Sequence, residues 1–438
     1  MKVVLVNTDF TYEADLNVKV QPLTMYTIAG IISPYVDEVK IIEPMKYRLQ
    51  NLQDKYFSVL LSEARDSDLI AFTVNSFSWF EISNMCKKIK ETLGDKKIVV
   101  GGIHVSFFYK EILENNPQID FALVGEAEKS FPSLIKYLNG QLSIEQVPNL
   151  KYIHNNKFIS NNNAPLVDFR REKIPLPRYD LLEKKFFDRL TFEASRGCMG
   201  NCKFCSVLHK RSWRNYGEEE VLTRMTEFKK HLDEKCKNKD FIFTDDCFTT
   251  DSIWAKQVLQ GMMDLGFQSY NMLIEARAKN LWDESLLEVI SSYDNLHIQI
   301  GIESGYDEGL SRINKEIRVS DIIKTMSLLE KYKICKNVFT SFIIGFPWET
   351  KKECMKTIQF AAFLNDQYGI EVNVAWWMPL PSRLFFSYIG DNNIFNMENF
   401  AMDSKIFNYS HPNISADDLS SINICDFLYK NMGITWRL

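Results

Sequence analysis

The chain has 438 residues, a length that suggests two or three domains and excludes a small fold stapled by disulfides. Hydrophobic residues at 45% and charged residues at 25% supply large apolar cores and exclude a mainly disordered chain. With 52 basic against 57 acidic side chains, the net charge of -5 leaves no global positive field to gather nucleic acid or an anionic membrane. The opening apolar run Val3 to Val6 is too short for a signal peptide and reads as a strand, and no run reaches the roughly 18 apolar residues of a membrane span.

From the N-terminus to about residue 140, short apolar runs alternate with stretches of helical spacing, the pattern of a parallel sheet with crossover helices. Strands are expected at 3–6, 39–42, 69–73, 98–100 and 121–124, and helices at 23–35 and 80–93. Ligands of such a doubly wound sheet bind at the carboxyl ends of the strands. Functional loops are therefore expected at 8–10, 75–79 and 101–104, where Gly101 and Gly102 permit close approach. Residues 141–185 turn Asn-rich and proline-rich and read as a linker with a small hairpin. A second alternation follows, with strands expected at 190–194, 241–243, 272–275, 296–301, 338–345 and 372–377. Six strands with intervening helices indicate a partial parallel barrel over 186–386, with chemistry at the carboxyl ends of its strands. Residues 387–438 read as a small C-terminal appendage.

Three of nine cysteines fall within eight residues, Cys198, Cys202 and Cys205, on the loop after the first barrel strand. The scatter of the other six fits a reducing cytoplasm with one metal or redox site and no disulfide framework. Three thiolates in the spacing C-x3-C-x2-C leave one iron of a four-iron cluster without a protein ligand, an open position suited to catalysis. The competing reading is a zinc knuckle completed by His209.

The spacing, with Phe204 before the third cysteine, resembles the radical S-adenosylmethionine (radical SAM) superfamily. Further segments resemble it in order: Phe243-Thr244-Asp245-Asp246-Cys247-Phe248, Ile300-Gly301-Ile302-Glu303-Ser304-Gly305, Ile344-Gly345-Phe346-Pro347-Trp348-Glu349-Thr350 and the proline turn Met378 to Arg383. The resemblance implies a [4Fe-4S] cluster on Cys198, Cys202 and Cys205. It also implies S-adenosylmethionine (SAM) contacts from Phe204, Asp245, Asp246, Arg277, Glu303 and Ser304. Blander roles stand beside these: a helix cap for the aspartates, a strand-end turn for Glu303-Ser304, and surface pairing for Arg277.

The N-terminal domain, residues 1–140, with its Gly101-Gly102-Ile103-His104 turn, resembles the flavodoxin-like domain of the cobalamin-binding class of that superfamily. The expected architecture is thus α/β throughout: a cobalamin-binding-type domain, then the partial (β/α)6 radical SAM barrel and the appendage. None of the six histidines has Asp two residues before it, so the Asp-x-His-x-x-Gly motif is absent. Cobalamin is then expected base-off, without a histidine ligand, against Thr73, Asn75, Ser76, Gly101 and Gly102, with His104 structural.

The resemblance implies reductive cleavage of SAM to a 5'-deoxyadenosyl radical, hydrogen abstraction from an unactivated carbon and transfer of a methyl group from methylcobalamin to a small molecule or peptide. An electron donor such as flavodoxin or ferredoxin is implied, and neither nucleic acid nor membrane is expected. Two alternatives remain: a non-methylating radical SAM enzyme catalysing ring formation, epimerisation or hydroxylation, and a non-enzymatic Fe-S/cobalamin sensor. A methylthiotransferase is disfavoured because only Cys86 precedes the trio.

Overall fold

The computed structural model describes residues 1–7, 18–48 and 52–392, with short stretches at 413–415, 417–418, 422 and 435–437. The loop expected at 8–10 and most of the 387–438 segment lie outside the described residues. The chain divides between Glu183 and Lys184 into two compact units.

The first unit is built on β1 (Lys2–Val6), β2 (Glu38–Ile42), β3 (Leu69–Thr73), β4 (Lys97–Gly101), β5 (Phe121–Leu123), β6 (Leu150–His154) and β7 (Lys157–Ser160). They form one sheet in the order β2-β1-β3-β4-β5-β6-β7. The first five strands run parallel and β5, β6 and β7 antiparallel. Val3 to Val6 are each at most 2% exposed, so β1 is covered on both faces, which is why it reads as an unbroken apolar run. Met25, Ala29 and Ile32 of the helix Leu23–Ile32 and Phe131, Leu134 and Ile135 of the helix Ser130–Leu138 close one core with Leu5, Leu69, Ala71 and Val99. Strand order reverses between β1 and β3, the place where such sheets open a crevice at their carboxyl ends.

The 141–185 segment is more than a linker. Its hairpin supplies β6 and β7 to the sheet, joined by Asn155 and Asn156 at φ 49° and 58°, the paired left-handed conformation of a tight two-residue hairpin turn. Its proline stretch then lies along the helix Leu23–Ile32, with Arg178 N–H donating to the Tyr26 carbonyl at 2.9 Å. A Cβ on Gly30 would stand 2.4 Å from the Leu176 carbonyl oxygen. Gly30→Ala is accordingly expected to destabilise this unit by about 1–3 kcal/mol, read as a lower urea midpoint with unchanged slope.

The second unit carries β8 (Arg189–Phe192), β9 (Ser195–Arg196), β10 (Arg214–Asn215), β11 (Asp240–Phe243), β12 (Asn271–Ala276), β13 (Leu296–Glu303), β14 (Val338–Ile344), β15 (Glu371–Trp376) and β16 (Thr435–Arg437). The main sheet has the order β16-β15-β14-β13-β12-β11-β8, all neighbours parallel, while β9 and β10 form a separate antiparallel pair. The six expected barrel strands are present, and β16, near the end of the chain, adds a seventh that the appendage reading did not include. Phe241 packs on Phe228 of the helix Glu218–Lys235, and Phe342 on Phe360 of the helix Lys351–Tyr368. These buried positions mark the helix-covered face. Their alternates, Glu275 on β12, Gln299 on β13, Ser341 on β14 and Asn373 on β15, therefore face the inside of the curved sheet.

Candidate functional site

The cysteine loop leaves the sheet at the carboxyl end of β8 and is tied at its base by the β9–β10 pair, with Arg196 opposite Arg214 and Ser195 opposite Asn215. Gly197 opens it at φ 89°, a left-handed conformation, and a Cβ there would stand 2.0 Å from the Ser212 carbonyl oxygen. Its N–H donates to Asp246 Oδ2 at 2.8 Å. The loop folds back so that Arg211 N–H reaches the Cys198 carbonyl, and Lys210 Nζ the carbonyls of Cys202 and Cys205 at 2.8 and 2.6 Å.

All three thiols are free and half-buried. Gly200 N–H points at Cys198 Sγ (3.3 Å) and Val207 N–H at Cys205 Sγ (3.4 Å), donors that stabilise sulfur as thiolate. Burial pushes the Cys202 and Cys205 thiols up, so a cationic metal is what would hold them ionised. Among the described residues no three His, Cys, Asp or Glu side chains converge on one ion site. Three thiols on one loop suit three corners of a four-iron cluster, with the fourth iron left open. The donor set fits an iron-sulfur cluster.

A second loop, residues 313–316, grips the first. Lys203 N–H donates to the Ile313 carbonyl (2.9 Å), and Asn314 Nδ2 to the Asn201 carbonyl (2.9 Å). Glu316 pairs with both Arg211 and Arg277. Asn314 and Glu316 both sit at positive φ, 57° and 65°, strain that the surrounding bonds hold in place. Between them Lys315 is 8% exposed, with Nζ 3.1 Å from Glu303 Oε1 and 5.9 Å from the centre of the Phe204 ring. Glu303 ends β13 beyond a bulge, at φ 73°, and its carboxylate lies over Gly301, where a Cβ would meet Oε1 at 2.4 Å and Lys315 Nζ at 3.1 Å. The bare glycine leaves room for this buried ion pair on the inner face of the sheet.

Glu275 stands on the same inner face without a hydrogen bond or ion pair. The open interior leaves its surface accessible, yet surrounding protein, with Asp246 and Glu303, pushes its carboxyl up to about 7 against the opposing pull of Lys315. Phe204 packs against Phe346 at 6.0 Å, and Phe346 stacks on Trp348 at 5.1 Å with 4° between planes.

Two expected SAM-facing residues are turned elsewhere. Asp245 is buried, accepts from Ala194 N–H at 2.9 Å and from the Ser195 hydroxyl, and so fixes the strand end beneath the loop. Burial drives its carboxyl well above the usual range. Ser304 is fully buried toward the helix Asp307–Arg312, its Oγ 2.2 Å from where a Gly309 Cβ would stand. Arg277 lies against the cysteine loop, with Nη1 2.9 Å from a Gly200 Cβ position, and is paired with Glu316. Glu303, Asp246 and Phe204 remain at the loop. Lys315, Asn314 and Glu316 were missed, and no spacing rule ties them to the cysteines. For Glu275 the available signal was an acid on the strand face opposite Met272 and Ile274.

In the first unit, Thr73, Asn75, Ser76, Gly101 and Gly102 come together at the carboxyl ends of β3 and β4. Val74 N–H donates to the Gly101 carbonyl (2.8 Å), and a Cβ on Gly102, at φ 100°, would strike Val74 N at 2.8 Å. Asn75 Oδ1 is taken by the N–H groups of Phe77 and Ser78, and Ser76 Oγ by His104 Nδ1 at 3.0 Å, so these side chains shape the loop. His104 is fully buried between Trp79 and Phe108, a structural position. Beyond β5, a Cβ on Gly125 would meet nothing within 4 Å, and on Gly101 only the Leu123 carbonyl oxygen at 3.5 Å. Open strand ends with bare glycines suit a large flat ligand such as a corrin.

A family model described as the radical SAM superfamily matches residues 192–361, and one described as the B12 binding domain matches residues 14–135. An uncharacterized methyltransferase, PH0819 of Pyrococcus horikoshii, is 27% identical over 85% of this chain and 79% of its own. An anaerobic magnesium-protoporphyrin IX monomethyl ester cyclase of Cereibacter sphaeroides is 24% identical over 84% of this chain but 58% of its own. The structure of OxsB, a cobalamin-dependent SAM radical enzyme with aqua-cobalamin and SAM bound, superposes with TM-score 0.67 and 19% identity, covering 99% of this chain and 62% of that one. The chain thus spans under two thirds of the length of the last two. No described helix is long and apolar enough to cross a membrane. With both domain models matched in the expected order, the chain carries a B12-binding-type domain followed by a radical SAM domain.

Proposed function

We propose that this protein is a cobalamin-dependent radical SAM C-methyltransferase acting on a small molecule or peptide. The observation that carries this reading is one chain holding both a three-thiol loop gripped by residues 313–316 and a B12-type sheet with open, glycine-bearing strand ends. When bound, the cluster, SAM and cobalamin would together supply radical generation and methyl transfer. The protein's part is placement. Cys198, Cys202 and Cys205 hold the cluster, Lys315 and Glu303 fix charge beside it, and the backbone at 73–76, 101–102 and 125 receives the corrin base-off. Eight free thiols among the described cysteines suit a reducing cytoplasm.

The test is anaerobic incubation of reconstituted protein with dithionite, SAM and hydroxocobalamin, followed by nucleoside chromatography. Formation of both 5'-deoxyadenosine and S-adenosylhomocysteine supports the methyltransferase. The cyclase relative favours a second, non-methylating reading, which yields 5'-deoxyadenosine alone. Neither product would sink both readings.

Glu275 makes a further expectation. SAM carries a sulfonium cation, so its affinity is expected to fall roughly three- to tenfold from pH 8 to pH 6 as the Glu275 carboxylate takes up a proton near 7. Glu275→Gln is expected to bind at the weaker level throughout, a flat profile by equilibrium dialysis.

A further inference from the structure

The main-chain carbonyls of Cys198, Cys202 and Cys205 all end on two consecutive residues. Arg211 N–H donates to the first at 2.7 Å, and Lys210 Nζ donates to the second and third at 2.8 and 2.6 Å. Lys210 also stands opposite Cys198 in a single parallel bridge. Arg211 reaches its carbonyl from φ 55°, a left-handed conformation that the bonds around it hold in place. Lys210 is half-buried, and among the described residues no carboxylate pairs with it; its ammonium directs two of its three donors at neutral carbonyls. By contrast Arg196 faces Glu193, Arg211 and Arg277 face Glu316, and Lys315 faces Glu303.

We propose that Lys210 is a positioning residue for the iron-sulfur cluster: it closes the cysteine loop into a cradle before a cluster arrives, and it leaves an unneutralised cation there. The inference rests on the reading that the loop holds such a cluster. A free loop between Gly197 and Trp213 samples many backbone arrangements, and ordering it costs conformational entropy. With one side chain bonded to two of the ligand residues and the next backbone N–H to the third, a single point of the chain orders all three. The metal then meets a loop that is already closed. The charge has a second effect. Neutral carbonyls cancel none of the ammonium's charge, whereas a four-iron cluster on three thiolates is a net anion and becomes more negative by one charge on reduction. The Lys210 cation therefore favours the reduced form and raises the potential.

The experiment compares wild type, Lys210→Met and Lys210→Arg as the whole chain. In metal-free protein, alkylation of Cys198, Cys202 and Cys205 by iodoacetamide is followed by mass spectrometry, with Cys335, half-buried outside the loop, as internal reference. Losing a hydrogen bond from a charged donor shifts an equilibrium about tenfold, so the loop thiols of Lys210→Met are expected to react about tenfold faster than those of wild type, with Cys335 unchanged. On anaerobic reconstitution Lys210→Met is expected to take up iron several-fold more slowly and to show a lower midpoint potential. Lys210→Arg keeps the cation and its donors and is expected to return both toward wild type. Complete loss of iron from Lys210→Met, restored in Lys210→Arg, would support the proposal in place of a potential. Wild-type alkylation rates in Lys210→Met, faster alkylation at Cys335 as well, an unchanged potential, or failure of Lys210→Arg to restore either property would overturn it. A wild type that takes up no iron would instead overturn the cluster reading beneath it, with the alkylation contrast still judging the closure of the loop.

Discussion

Lys315→Met is expected to destabilise the second unit by about 3–5 kcal/mol, the usual cost of leaving one partner of a buried ion pair without the other. Glu303 is 8% exposed, its carboxylate over Gly301 has Lys315 as its ion-pair partner at 3.1 Å, and its backbone is already held at φ 73°. Urea unfolding measures the loss. The double variant Lys315→Met/Glu303→Gln is expected to recover most of it, because the stranded charge is gone. If the pair also sets the electrostatics of the cysteine loop, the two single changes should move the midpoint potential of the reconstituted cluster in opposite directions. Lys315→Met removes a cation and lowers it; Glu303→Gln removes an anion and raises it. Shifts of the same sign, or none, would reduce the pair to a packing role.

Gly197→Ala is expected to cost the loop its metal while sparing the sheet. At φ 89°, with a carbonyl oxygen 2.0 Å from the added Cβ, the backbone must move, and Asp246 Oδ2 loses its 2.8 Å donor as it does. Iron content after reconstitution is expected to fall several-fold while far-ultraviolet circular dichroism stays that of the wild type. Gly217→Ala, only a few residues beyond the loop at φ -57°, meets nothing within 4 Å and is the matched control, expected to load iron normally.

Much of this architecture was legible in the residue pattern because it rests on period and punctuation. The strand runs near Val3, Leu69, Phe241 and Val338 are apolar blocks bounded by turn residues, and all four are strands. The cysteine loop was legible because its spacing is local. Ser304 was read toward the ligand from its motif, yet Ile298, Ile300 and Ile302 are all fully buried, and continuing their alternation places Ser304 on their side and Glu303 within. The grip of residues 313–316 was not legible, because it depends on two strained residues over 100 positions from the cysteines in sequence. Neither was the fate of the 141–185 segment, where the Asn155-Asn156 turn announced a hairpin but not the edge it would join.

The two-rung ladder of β9 and β10 brings the ends of the cysteine loop together before any metal contact is counted. Everything between Gly197 and Trp213 is thereby a closed excursion whose length costs only the slow logarithm of loop closure. Residues can be inserted into or removed from that excursion with little change to the strands that launch it, provided that Asn201, Lys203 and Arg211, the points at which residues 313–316 hold it, keep their places.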